Sequence, residues 1–357
     1  MNKKNKLKIA VAMSGGVDSA VAAALLKKQG HDVVGVFMQF WKPEGEYAEN
    51  RCCSLESWHE AQQIAKILDF PIYKINFGEK FKEKIVDEFL SEYKNGKTPN
   101  PCVTCNKFIK FNLLLNYVKV VFEADYLATG HYVKLEFDKK SKGYKLKRPK
   151  DKKKDQTYFL YNLKQDQLRY LLFPLANYNK DRVRQLAKKF KLPIHDKPDS
   201  QEICFVGNSH YDFLKSYLDL KSGRIVNRDN KTIGRHKGLP LYTLGQRTGL
   251  GLSGGPWYVV KMDKKKNILM VSRNVNDELL KVNKIDFKNA SWIGEKIKFP
   301  LKCEAQIRYR GKTIKCLVEK TDRGMTAIFR APHQAPASGQ SIVFYQGNEL
   351  LGGGIIK

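Results

Sequence analysis

Three short stretches contain residues whose types and spacing can do chemistry. The first is SGGVDS at 14–19, which lies between the apolar run KIAVAM and the helical pattern DSAVAAALLKK. A strand, a glycine turn and a helix start in that order aim backbone N–H groups at one point and hold phosphate there. Gly15 and Gly16 allow the close approach this needs. The stretch lacks the GK[ST] ending of a Walker A loop, which argues against a motor or switch ATPase. An ordinary glycine turn capped by Asp18 or Ser19 would use the same residues. The second stretch, TPNPCVTCNKFIKF at 98–111, sets Pro99 and Pro101 ahead of a helical pattern with Cys105 near its first turn. A helix start with Lys107 and Lys110 nearby favours the thiolate, the nucleophilic form of cysteine. Cys102 and Cys105 also have the spacing of half a zinc site, although no second CxxC or clustered histidines complete one. An inert buried Cys105 is a third reading. The last stretch, DSQEICFVG, places Cys204 between Ile203 and Phe205, where taken alone it reads as a core cysteine.

Elements able to position these residues follow from the apolar pattern. β-type runs (KIAVAMS, DVVGVFMQF, PIYKINF, ADYLATGHY) alternate with helical patterns over the first two hundred residues. That alternation predicts a parallel sheet wrapped by helices, with ligands at the carboxyl ends of its strands. Helices are expected over 80–93, from the TPNPC segment to about residue 122, around 165–173, and at DRVRQLAKKFKL. The lysine-rich stretch 139–154 predicts an exposed hairpin or loop. Glycine-punctuated short runs (GRIV, PLYTLG, WYVVKMD, NILMVS) then point to a small β-rich domain. Alternating runs such as KCEAQIRYR, KTIKCLVEK and QSIVFYQ point to a β-barrel or sandwich. The expected domains are 1–206, 207–274 and 275–357.

At 357 residues the chain is long enough for several cores. Lys and Arg outnumber Asp and Glu by 65 to 36, giving a net charge of +29 that attracts polyanions, nucleic acid first among them. Solvated lysine-rich surface in a biased composition would give the same excess. Seven cysteines, an odd number, do not read as a secreted disulfide framework. No apolar run approaches the ~18 residues of a membrane span, and the N-terminal run is too short for a signal peptide. A reducing cytoplasmic setting is expected.

The loop at 14–19 resembles the pyrophosphate loop (PP-loop) of the N-type ATP pyrophosphatases, which split ATP between its α and β phosphates. Taken with TPNPCVTCN and the Cys204 segment, the chain resembles the bacterial tRNA-specific 2-thiouridylases. NRCCS at 50–54, ATGHY at 128–132, KDQTYFL at 154–160, LYTLGQRTGL at 241–250, RYR at 308–310, GQSIVFYQG and LGGG extend the likeness over nearly the whole length. It implies a PP-loop α/β catalytic domain, a small central domain and a C-terminal β-barrel that contacts tRNA. ATP is expected at Ala12, Met13, Ser14, Gly15, Gly16, Val17, Asp18, Ser19, Met38 and Gly130, with Mg²⁺ as the charge partner of its phosphates. Cys105 is the implied nucleophile, and Cys204 the carrier of a persulfide supplied by a cysteine desulfurase or a sulfur-relay protein. A Cys105–Cys204 disulfide is the implied end state.

For tRNA, the resemblance implies Asn100, Pro101 and Cys102 at the target base. It also implies Lys154, Asp155, Gln156, Arg308, Tyr309 and Gln340 as contacts, and His131 facing RNA unless its role is structural. The chain departs from the family pattern where Cys102 stands in a position that also takes Asp. It departs again where Ala337, Ser338 and Gly339 replace a proline-glycine, and at HEAQQ (59–63). Cys102, Cys105 and Cys204 together form a candidate iron–sulfur ligand set. Cys52 and Cys53 are expected to be structural, and Cys303 and Cys316 to be core residues.

Overall fold

The computed structural model describes residues 6–43, 54–199, 203–207, 209–294, 297–322 and 324–357. Cys52 and Cys53 lie outside the described residues. Strand β1 (Lys8–Met13) leads through the loop at 14–16 into helix α1 (Val17–Lys28). Strand β2 (Asp32–Gln39), helix α2 (Leu55–Ile67), capped by the Ser54 side chain, and strand β3 (Ile72–Asn76) complete two parallel crossovers. Helix α1 is rich in alanine and almost wholly buried. It packs against β1 and β2 on one side and the helix Lys180–Lys189 on the other, so small side chains all round are what its place demands.

A long helical stretch over 78–94 and a second over 101–121 follow, each with a π-helical middle, at Lys82–Val86 and Asn106–Leu114. The chain then returns beside β1 as strand β4 (Tyr126–Ala128). Next come the hairpin β5 (Lys134–Asp138) and β6 (Gly143–Lys147), and the short strand β7 (Leu171–Leu172) beside β4. The sheet order is β3-β2-β1-β4-β7, all parallel. The chain therefore steps outward from β1 on one side and resumes on the other. That makes the carboxyl ends of β1 and β4 a topological switch point, where such sheets bind ligands.

β8 (Gly223–Val226), β9 (Thr232–His236), β10 (Tyr258–Asp263) and β11 (Ile268–Ser272) form a separate four-stranded sheet over its own small core. The last six strands are β12 (Lys281–Trp292), β13 (Leu301–Gln306), β14 (Ile314–Thr321), β15 (Gly324–Gln334), β16 (Ser341–Gln346) and β17 (Glu349–Ile356). They run in the order β12-β15-β14-β13-β16-β17 and close through a β12–β17 pairing, forming a barrel. Cys303 and Cys316 pair directly across β13 and β14 in its core.

Three local expectations change. PLYTLG yields a single helical turn, Leu239–Leu241, because Pro240 and Gly238 break the strand pattern. The helix expected around 165–173 stops at Leu168, and Leu171–Leu172 become a sheet strand. The lysine-rich stretch is a hairpin, as one of the two expected forms, but it is not simply exposed. β6 pairs with β17, and Leu146 is fully buried where the two domains meet. The segment after it reinforces that junction: Tyr158 donates to the Ser341 carbonyl at 2.8 Å, and Thr157 meets the Tyr345 hydroxyl at 3.1 Å.

Truncation of a fully buried leucine leaves a cavity that neighbours fill only in part, so Leu146→Ala should cost about 2–5 kcal/mol. Chemical denaturation checks this, and the loss should also expose the hairpin amides to hydrogen exchange.

Candidate active site

The loop after β1 is built for close approach. Gly15 has φ +68°, and a Cβ there would lie 2.5 Å from the Ser57 carbonyl oxygen. Ser19 Oγ donates to the Gly16 carbonyl at 3.0 Å and accepts from the Ser14 N–H at 3.3 Å, holding the turn against the start of α1. From the other side of the switch point the turn after β4 packs in. A Cβ at Gly130 would lie 2.8 Å from the backbone of Asp18 and Ser19. Ala12, Met13 and Met38 are buried at the ends of β1 and β2 behind the loop. In front of it opens a cavity of about 480 Å³ whose walls include Ser14, Gly16, Val17, Asp18, Lys180, Asp199, Cys102 and His131.

Charge organises this cavity. The Lys180 ammonium, one-tenth exposed, donates to Asp18 at 2.7 Å and to Asp199 at 2.7 Å. Asp18 also accepts from the Tyr132 hydroxyl at 2.8 Å. Burial, then the neighbouring Asp18 charge, raises the Tyr132 phenol well above its ordinary range, so it acts here only as a donor. Lys154 pairs with Asp199 as well. Burial alone would push the Asp199 carboxyl up, but Lys154 and Lys180 outweigh it and hold the group below the usual carboxylate range. The Asp151 side chain accepts from the Lys180 backbone N–H at 2.9 Å and from the N–H groups of Lys153 and Lys154, tying the basic turn to the same helix start. Lys197 pairs with Glu60 at the cavity's edge.

The cysteines occupy different settings. Cys102 is the second residue of the helix that begins at Pro101, exposed and on the cavity wall. Cys105 is the fifth residue and buried. Helix-end charge fades beyond the first turn, which Cys105 just follows, so it acts more on Cys102. Cys204 is half-buried. Its neighbour Phe205 packs edge-on against Phe81 and Phe89, in the helical stretch that also packs against Pro101–Cys105. The segment that bears Cys204 and the helix that bears Cys105 therefore both pack against that stretch. Among the described residues no three His, Cys, Asp or Glu side chains group as a metal site. The expected iron–sulfur set of Cys102, Cys105 and Cys204 is thus not preassembled.

Comparison with known proteins matches three family models end to end. These are a tRNA methyl transferase HUP domain at 7–208, a tRNA methyl transferase PRC-barrel domain at 211–273, and an aminomethyltransferase beta-barrel domain at 282–356. The chain is 43% identical to a tRNA-specific 2-thiouridylase MnmA from Clostridium acetobutylicum, over all of both chains. It is 44% identical to one from Carboxydothermus hydrogenoformans, covering all of this chain and 99% of that one. The chain belongs to the tRNA-specific 2-thiouridylase family. Among solved structures, an NMN synthetase from Francisella tularensis is similar at 18% identity and TM-score 0.34, covering 56% of this chain and 68% of that one.

With that family in view, the residues expected at tRNA fall into three groups. Lys154, Gln156, His131, Tyr309 and Cys102 share the cavity with the loop. Gln156 is held by Tyr132, whose N–H donates to its Oε1 at 2.9 Å. Asp155 is turned inward, its carboxylate taken by Arg148 and by the Thr157 N–H and hydroxyl. Arg308 is half-buried beside the Ala335 carbonyl, and burial lowers its guanidinium below the ordinary range. Asn100 faces a neighbouring recess with Glu88, Lys107 and Lys288, and Pro101 is buried. Gln340 donates to the Thr98 carbonyl at 2.7 Å, and the Thr98 N–H donates to Ser338 at 2.8 Å. Thr98 also meets Thr243 of the central domain at 3.0 Å. In this 2-thiouridylase fold the loop before Pro101 is therefore clasped by both other domains.

Sequence reasoning missed Lys180, Asp199, Tyr132, Asp151 and Asn106. Lys180 is one of 65 basic residues, and only its place after a helix-capping Asn179 distinguishes it. Asn106 was hidden inside the cysteine motif.

Two outcomes follow from the geometry. Gly15→Ala forces a side chain onto the Ser57 carbonyl, so ATP binding measured by calorimetry should fall at least about 10-fold. Burial, with Lys110 second, lowers the His131 pKa well below 6.5. The unfolded chain therefore binds more protons there, and stability should fall as pH drops below about 6.5. The His131→Gln variant should lose that part of the slope in denaturation curves, and NMR should show a neutral ring at pH 6.

Proposed function

We propose that this chain is an ATP-dependent tRNA sulfurtransferase that replaces O2 of the wobble uridine with sulfur. The observation that carries the reading is one cavity in which the glycine loop after β1, a basic wall and the cysteine-bearing helix face each other. Oxygen bound to the urea-like C2 of uracil leaves poorly. Attack of O2 on the α-phosphate of ATP would release pyrophosphate and, with loss of the N3 proton to solvent, convert O2 into an ester from which AMP departs. The loop at 14–19 would hold the phosphates, Lys180 would face their charge, and Asp18 within the loop would hold a Mg²⁺ ion arriving with ATP. That ion would supply charge neutralisation.

Sulfur would reach Cys204 as a persulfide, delivered by a cysteine desulfurase directly or through a relay protein. Attack of the Cys105 thiolate on the inner persulfide sulfur would release hydrosulfide and leave a Cys105–Cys204 disulfide. Hydrosulfide would then add to C2 and expel AMP, its proton ending on N3, and a dithiol reductant would reset the enzyme. The matched family models carry methyl transfer in their names, yet methyl donation needs neither a phosphate cradle nor two thiols. Those features support thiolation instead.

Mass spectrometry of tRNA nucleosides after incubation with ATP, desulfurase and cysteine should show one thiolated wobble uridine per tRNA, with matching AMP. Cys105→Ser and Cys204→Ser should each reduce the product by at least about 10³-fold. Full thiolation by Cys105→Ser would overturn the reading.

A further inference from the structure

Asn106 is 3% exposed, and its Oδ1 has no hydrogen-bond partner. A buried acceptor left in that state costs about 1–3 kcal/mol, which an arriving donor can recover. The amide cannot turn to hide it. Nδ2 donates to the Phe159 carbonyl at 3.2 Å, and a reversed amide would set two oxygens against each other there. The oxygen is thus a fixed acceptor in a side chain on the cavity wall.

Its neighbours say what kind of donor fits. Asn106 follows Cys105 directly and lies one helical turn beyond Cys102, which lines the same wall. Phe159 and Tyr309, with ring centroids 4.4 Å apart, line the cavity as well and offer aromatic surface to a planar group. The oxygen is covered from water, so a donor reaches it only on a group that displaces the cover. An unstacked base entering beside two aromatic rings does this.

We infer that Asn106 reads the target base by accepting a hydrogen bond from uracil N3–H in the complex that precedes O2 adenylation. This rests on the sulfurtransferase reading above and extends it to the choice of base. N3 is bonded to C2, so gripping N3–H beside Cys105 brings the reacting carbon to the thiol-bearing helix. Cytosine presents an acceptor at N3, and two acceptors facing each other in a buried site repel. The same acceptor could serve the adenine amine of ATP, but it belongs to the cysteine helix and not to the loop after β1.

The test uses the full chain with ATP, desulfurase and cysteine. The substrates are tRNA carrying uridine or 3-methyluridine at the target position, and the readouts are the Kd of each tRNA without ATP, thiolation of uridine and the Kd of ATP. Wild type should lose about 10- to 100-fold in tRNA affinity on N3 methylation. Asn106→Ala should lose a similar factor in affinity with uridine, show no comparable further loss with 3-methyluridine, and keep its ATP affinity. Undiminished binding of uridine tRNA by Asn106→Ala would overturn the inference, as would penalties that simply multiply. A matching fall in ATP affinity without coupling to N3 would overturn it too, assigning the oxygen to adenine. Absence of thiolation by wild type on unmodified tRNA would instead count against the sulfurtransferase reading.

Discussion

The Lys180 ammonium sits between two carboxylates, Asp18 in the loop after β1 and Asp199 at the far wall, with little access to water. Removing Lys180 would leave two partly buried carboxylates without their shared cation, whereas removing either carboxylate leaves the ammonium its other partner. That bridge therefore joins the start of α1 to the chain that leads toward Cys204. Lys154 joins the same carboxylate from the segment that packs on the barrel. Lys110, Lys154, Lys180, Lys197 and Arg310 outnumber Asp18 and Asp199 on the cavity wall. The ion pairs brace that wall, and the surplus cations draw polyanions to it.

The barrel and the central sheet then act on the cysteine helix through its leading loop. Ser338 and Gln340 from the barrel and Thr243 from the central domain all bond to Thr98. Each bond is modest, worth about 1 kcal/mol net. Together they fix the direction in which Pro101 starts the helix, and hence where Cys102 and Asn106 face. The hairpin β5–β6 works in the opposite sense, since the first domain lends two strands to the sheet of the last. These reciprocal contacts tie all three domains to the walls around the cavity.

Much of the site was legible in one dimension because its parts are local. SGGVDS between an apolar run and a helical pattern is a phosphate cradle by backbone geometry, and the order of runs around it predicts a parallel sheet. Errors came where long-range pairing overrides local pattern. Leu171 and Leu172 look helical in sequence, yet they fill a vacant position beside β4. Leu146 looks exposed among lysines, yet β17 covers it.

Sequence by itself determined the class of fold, the glycine turn that opens α1 and the excess of positive charge, since each depends on residue type and near-neighbour spacing. Tertiary structure alone decided that Asp155 is turned inward and Asn106 is left with an open acceptor. It also decided that Lys180 is the cation between two carboxylates and that Cys102, not Cys105, faces the cavity. Such choices are settled by which backbone groups and charges the fold brings together, Asn106 with Phe159 and Lys180 with Asp18 among them. Burial makes those meetings costly to leave unpaired, and no local pattern encodes them.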